Sequence, residues 1–269
     1  MSFLDDMIER RAHRLVQDFG SLSAADRERL ASCARSPRDF AATLTDRLDV
    51  AVIAEVKKAS PSSGAIALEC DASKQALHYQ NGGAAAISVL TEPETFAGSF
   101  TDLSDVSDAV GIPVLCKDFV VDPVQLFLAR GHGADAVLLM TSVLGVRLAE
   151  YLDLAETLGL QALVEVHDAA ELELALSAKA PLIGVNSRDL KTLEVDTAGA
   201  RSVIAAATTA GAVVVAESGV RGRADVAAAA HAGADAVLVG EALMRTRFPE
   251  DVLEQLTGVP LGHAQEMTV

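Results

Sequence analysis

Eight short apolar runs recur along the chain, at residues 50–56, 84–90, 113–117, 136–140, 162–166, 182–186, 212–216 and 236–240. Each has the length of a buried strand, and several are rich in Val and Ile. The segments between them repeat their apolar positions at helical spacing, over 73–79, 103–109, 123–129, 147–158, 170–178, 198–207 and 224–232. This alternation predicts βαβ units and a parallel sheet. Eight such units close more readily into a (β/α)₈ TIM barrel than they lie in an open sheet, and a barrel of this kind needs about 250 residues. No Gly-, Pro- or Ser-rich linker interrupts the pattern, so residues 1–269 are expected to form one domain.

Residues 1–49 precede the first strand. Over 3–19, Phe3, Leu4, Met7, Leu15 and Val16 alternate with charges as on an amphipathic helix, and Ser23 can begin a second helix. An N-terminal helical extension packed on the barrel is expected, and the residues after Gly258 read as a loose tail. A weak repeat supports the architecture. His132-Gly-Ala-Asp135-Ala-Val-Leu138 is echoed at 232–238 and more loosely at 81–87, each a helix ending at glycine before a buried strand.

Composition narrows the function. Aromatics are 4% of the chain and Trp is absent, so the core is aliphatic, as parallel strands require. A net charge of −16, from 38 acidic and 22 basic residues, repels phosphate backbones and argues against nucleic acid. Cys33, Cys70 and Cys116 are odd in number and scattered, which fits a reducing compartment and no disulfide framework. The six histidines show no metal-binding spacing, and no apolar run is long enough for a bilayer. A cytoplasmic protein without metal, cofactor or membrane partner is expected, as a monomer or at most a weak homodimer.

Reactive residues of such a barrel lie where strands run into the following loops. Those endings read Glu55-Val-Lys57-Lys-Ala-Ser60-Pro61, Cys-Lys117-Asp-Phe119, Glu165-Val-His167-Asp, Asn186-Ser-Arg188-Asp, Glu217-Ser218-Gly219 and Gly240-Glu241. Residues two apart share a face, so Glu55 goes with Lys57, Lys117 with Leu115, and Glu165 with Leu163 and His167. Pointing these charges under the helices would cost several kcal/mol per ion, so they are expected to face the mouth. Two lysines and three glutamates gathered there would perturb one another's titration, as acid–base catalysis requires. His167 is expected to be a solvated loop residue. Ser218-Gly219, Gly240 and Ser60 come together around loops seven and eight, the usual phosphate cradle of this fold.

These endings resemble indole-3-glycerol phosphate synthases. The matching segments are AEVKKASPSSG (54–64), ISVLTE with Phe96 beyond, PVLCKDF (113–119), LVEVHD (163–168), GVNSRDL (184–190), AESG (216–219) and VGEALM (239–244). The resemblance spans nearly the whole chain and implies a decarboxylating, dehydrating ring closure of a phosphorylated substrate. It implies Lys117 as general acid, Lys57 on the substrate carboxylate and Glu165 as base. Glu55, Asn186 and Glu217 would position the lysines and sugar hydroxyls. Ser60, Ser218, Gly219, Gly240 and the Glu241 backbone match the phosphate site, with Arg188 also on the substrate. Pro61, Phe96, Phe119, Leu138 and Leu190 match the slot for the aryl ring. Ser63 and Val124 depart from the pattern, where a basic and an aromatic residue are frequent. An imine-forming aldolase and a sugar-phosphate-binding barrel without catalysis are the competing readings, distinguished by borohydride trapping and by the Lys117/Glu165 pair.

Overall fold

The computed structural model describes residues 2–189, 192 and 194–262. Eight parallel strands close into a barrel in sequence order: β1 (Ala51–Val56), β2 (Ala86–Leu90), β3 (Val114–Lys117), β4 (Ala136–Met140), β5 (Gln161–Val166), β6 (Leu182–Asn186), β7 (Val213–Glu217) and β8 (Ala236–Val239), which pairs with β1. Each lies within two residues of its expected span. Three helices precede the barrel, α1 (Phe3–Phe19), α2 (Ala24–Ser32) and α3 (Phe40–Thr45). Around it run α4 (Ala72–Asn81), α5 (Phe100–Ala109), α6 (Val124–Gly131), the short α7 (Thr141–Leu144), α8 (Leu148–Thr157), α9 (Ala169–Ser177), α10 (Thr197–Thr209), α11 (Arg223–Ala232), the short α12 (Glu241–Met244) and α13 (Pro249–Leu256).

Strand parity sorts the core into two layers. Val52, Ala54, Val56, Cys116, Val137, Leu139, Val164 and Val166 face outward and pack with the helices. Ile53, Leu115, Leu138, Leu163, Val215 and Leu238 fill the barrel. Glu55, Lys117, Glu165, Asn186 and Glu217 share the parity of the inner set, one step further toward the C-terminal ends.

The N-terminal helices strap the barrel from one end to the other. On α1, Arg11 reaches Asp118 after β3, and Thr95 after β2 donates to Met7 Sδ at 3.0 Å, so this helix lies against the C-terminal face. α2 runs down the side against α6. Phe40 and Leu44 of α3 join the inner core, and the Ala41 amide donates to Gln161 at the start of β5. Arg35 and Arg38 reach Asp135 just before β4, so α3 covers the opposite end.

The sequence repeat has a mechanical meaning. Gly133 and Gly233 turn the chain at φ +83° and +105°, and the next carboxylate pins a neighbouring strand. Asp135 accepts the Val114 amide and Asp235 the Val214 amide, both at 2.8 Å.

One expectation is corrected. The segment after Gly258 is not loose as far as it is described: Val259 and Leu261 are buried, Asp49 bridges to Pro260, and the Val50 amide donates to Val259 O at 2.8 Å. Its few residues alternate like a strand, too briefly to be read as one. The same brevity hid α3, α7, α12 and a ribbon pairing Ala59–Ser60 with Gly64–Ala65.

Candidate active site

The inward-facing strand ends open into a cavity of about 400 Å³ at the C-terminal mouth. Glu55, Lys57, Ser60, Pro61, Phe96, Lys117, Phe119, Leu138, Glu165, Asn186, Arg188, Ser218, Gly219, Gly240 and Glu241 all line it. Glu217 does not; its buried side chain supports Lys117 from beneath. Leu190 lies outside the described residues.

At the centre is a chain of ion pairs. Lys57 Nζ lies 2.6 Å from Glu55 Oε1, and Lys117 Nζ lies 3.4 Å from Glu55 Oε2 and 2.6 Å from Glu217 Oε2. Two glycines make room for it. A Cβ at Gly184 would overlap Glu217 Oε1, and one at Gly240 would overlap Glu55 Oε1. Burial raises the Glu55 carboxyl, but Lys57 and Lys117 more than offset this and hold it below the ordinary value. Burial likewise opposes charge on Lys117, yet Glu217, Glu55 and Glu165 together outweigh it, and the ammonium is held more firmly than usual. Glu217 is the opposite case. Burial dominates, Glu165 and Glu55 add like charge, and Lys117 compensates only in part, so its carboxyl is pushed up to about 7.

At the β7–β8 side, Ser218 and Gly219 take successive positive φ values of +63° and +78°. A left-handed serine is uncommon, and such strain concentrates at functional turns. Gly240 caps α12, whose first amides lack intrahelical acceptors. The Glu241 carboxylate is held by Ser63 Oγ and Arg245 Nε, each at 2.9 Å, which accounts for Ser63 without a basic residue there. The opposite wall is apolar, with Phe96 and Phe119 in tilted contact at 6.2 Å beside Leu138 and Pro61. Val124 sits apart, buried with Leu15 and Leu128.

Three groups were missed in the sequence. Glu92 lines the cavity and accepts the amides of Glu94, Thr95 and Phe96, shaping the aromatic wall. Its place at the end of β2 was a usable signal. Asp118, beside Lys117, is tied to Arg11. His167 is a correction: its side chain is 16% exposed, not solvated, and Nε2 lies 3.4 Å from Glu165 Oε1. Glu165 draws the ring inward because residues 165 and 167 share a face.

Among the described residues, no group of three or more His, Cys, Asp or Glu is placed to hold a metal ion, and no helix is long and apolar enough to cross a membrane.

A family model described as indole-3-glycerol phosphate synthase matches residues 4–256. The chain is 49% identical over 246 residues to a protein of that name from Mycobacteroides abscessus, covering 91% of this chain and 88% of the relative. It is 48% identical to indole-3-glycerol phosphate synthase 1 of Streptomyces coelicolor, covering 95% of each. Two solved structures, each 16% identical, share the fold. Thiamine phosphate pyrophosphorylase from Pyrococcus furiosus superposes with a TM-score of 0.60 over 81% of this chain and 96% of its own. A 3-hexulose-6-phosphate synthase does so with 0.63 over 77% and 98%.

Proposed function

The chain belongs to the indole-3-glycerol phosphate synthase family, and from that premise we propose which of its residues carry each step. The enzyme is a carboxy-lyase of tryptophan biosynthesis. It converts 1-(2-carboxyphenylamino)-1-deoxyribulose 5-phosphate to indole-3-glycerol phosphate, releasing carbon dioxide and water. That membership sets aside the imine-forming and binding-only alternatives.

In the first step, the ring carbon bearing the carboxylate bonds to the ribulose C2 carbonyl carbon. The carbonyl π electrons move to oxygen, which takes a proton from Lys117. Lys57 pairs with the substrate carboxylate and orients the ring. Carbon dioxide then leaves, and its bonding electrons restore aromaticity. Finally Glu165 removes a proton from C1, and those electrons form the C1–C2 double bond. The C2 hydroxyl departs as water with a proton from Lys57, whose carboxylate partner has left as carbon dioxide. Glu55 and Glu217 hold the lysines, and Asn186 and Arg188 address the sugar. Ser60, Ser218, Gly219, Gly240 and the Glu241 backbone cradle the phosphate, while Phe96, Phe119, Leu138, Pro61 and Leu190 face the aryl ring.

The observation that carries this assignment is the setting of Lys117. Its ammonium lies between Glu217 and Glu55, with Glu165 on the same cavity, so a held proton donor meets the place where oxyanion charge develops. The test is Lys117→Ala. Losing a positioned general acid costs roughly 10²–10⁴-fold in kcat. Affinity for a phosphorylated substrate analogue should hold, because the phosphate is gripped elsewhere. A fall in kcat below about tenfold removes Lys117 from the role.

The chemistry has no net redox change and needs no electron sink, which supports action without a cofactor. The net charge of −16 supports a small-molecule substrate and no nucleic-acid partner. The large exposed apolar side chains Val16, Leu48, Val146 and Phe248 stand on different segments, which supports a monomer. Reduced, scattered cysteines support a cytoplasmic location.

A further inference from the structure

His167 follows the end of β5, and its ring is set between two carboxylates. Nδ1 lies 3.0 Å from Glu171 Oε2, the oxygen that also accepts the His167 backbone N–H at 2.8 Å. Glu171 is in the first turn of α9, where its own amide donates to the N-cap Asp168 at 2.9 Å, so the helix fixes this anchor. On the other side, Nε2 faces Glu165 Oε1 at 3.4 Å. Both of these atoms are buried, and neither has a hydrogen-bond partner among the described residues. Their separation is about 0.5 Å beyond the range of a formed charge-assisted hydrogen bond, so a small side-chain rotation closes it.

A neutral imidazole carries one N–H and can donate to one acceptor only. Carboxylates at both nitrogens are matched by a ring that donates from both, which is the imidazolium. The charge balance agrees. Lys57 and Lys117 are paired with Glu55 and Glu217, and His167 is the cationic partner that faces Glu165.

We propose that His167, tethered by Glu171, is a positioning residue that holds Glu165 in the orientation needed to take a proton from the substrate. This rests on the assignment of Glu165 as the base. The charged groups facing the ring are Glu165 from β5, Glu171 from α9 and Glu217 from β7; α7, which packs on α9, carries no titratable side chain. Burial opposes the ring's charge, but these carboxylates outweigh it and raise His167 to about 9.

The experiment is the kcat–pH profile of wild type, His167→Gln, Glu171→Gln and Glu165→Gln. Removing an interaction equivalent to one pKa unit changes a rate by about tenfold, so His167→Gln is expected to lower kcat by about that factor with KM nearly unchanged. It should also abolish a decline of kcat centred near pH 9. Glu171→Gln keeps the ring but removes one of its carboxylates, and should move that decline to lower pH. Wild-type kcat and an unmoved alkaline limb in both variants overturn the proposal; if His167→Gln does not fold, an unmoved limb in Glu171→Gln overturns it alone. Glu165→Gln separates the two assignments. Retained activity there means the base is another residue, whereas an inactive Glu165→Gln beside a fully active His167→Gln defeats only the positioning role.

Discussion

Arg11 grips Asp118 with both ends of its guanidinium, Nε to Oδ1 at 2.9 Å and Nη2 to Oδ2 at 2.6 Å, across 107 positions of sequence. Asp118 directly follows Lys117, and its Oδ2 also accepts from Thr91 Oγ1 at 2.7 Å. The first helix is thereby bonded to the strand that carries Lys117, the proposed general acid. Burial opposes charge on Arg11, yet Asp118 outweighs it and raises the guanidinium above its usual value.

Removing one member of a buried pair leaves the other charge uncompensated, at a cost of about 3–5 kcal/mol. Arg11→Ala should lose stability of that order in urea unfolding, with kcat reduced as Asp118 shifts beside Lys117. A loss below about 1 kcal/mol, within the range of a surface pair, would mean that Asp118 finds another partner.

The barrel and most of its mouth were legible because parity is a local property. Once residues 53 and 55, 115 and 117, or 163 and 165 share a face, apolar inner positions carry the charges after them to one rim. The Arg11–Asp118 pair is not local, and no period links its halves. His167 illustrates a different failure. Glu165 two positions before it and Glu171 four after it are both readable, but whether an imidazole at a loop start turns in or out depends on the helix that follows. Likewise the place of Glu217 at the end of β7 is readable, while its contact with Lys117 and its exclusion from the cavity depend on Lys117 lying over it.

Gly184 makes a sharper test of that support than removal of the carboxylate. A methyl group there overlaps Glu217 Oε1 and meets Leu163 Cδ1 at 3.3 Å, so Glu217 has to swing away from Lys117. Displacing catalytic groups by about 1 Å can cost on the order of 100-fold. Gly184→Ala should lower kcat by up to that factor while circular dichroism stays that of the wild type. An unchanged kcat would show that Lys117 does not depend on Glu217 for its position.

Ser218→Ala addresses the other end of the cavity. On the proposed assignment its hydroxyl contacts the phosphate equally in ground and transition states, so its loss should raise KM and leave kcat within a few-fold. Titration with a phosphorylated substrate analogue should show the same weakening. Unchanged affinity would move the anion site away from the β7 loop.

Glu217 also gives the protein a pH dependence whose sign differs from that of a surface carboxylate. In the fold burial raises it to about 7, whereas in the unfolded chain it titrates near the ordinary 4.5. Between those values the native state binds more protons at this group than the unfolded state does. Stability from this group is therefore fully present below about 4.5 and falls as pH rises through about 7. Glu217→Gln has no such proton to lose. Its stability relative to wild type should improve from pH 5 to about pH 7 and level off by pH 8 in urea unfolding, even if loss of the Lys117 contact makes it the less stable protein at every pH. A constant difference across that range would mean that Glu217 titrates alike in both states, and that Lys117 fully compensates its burial.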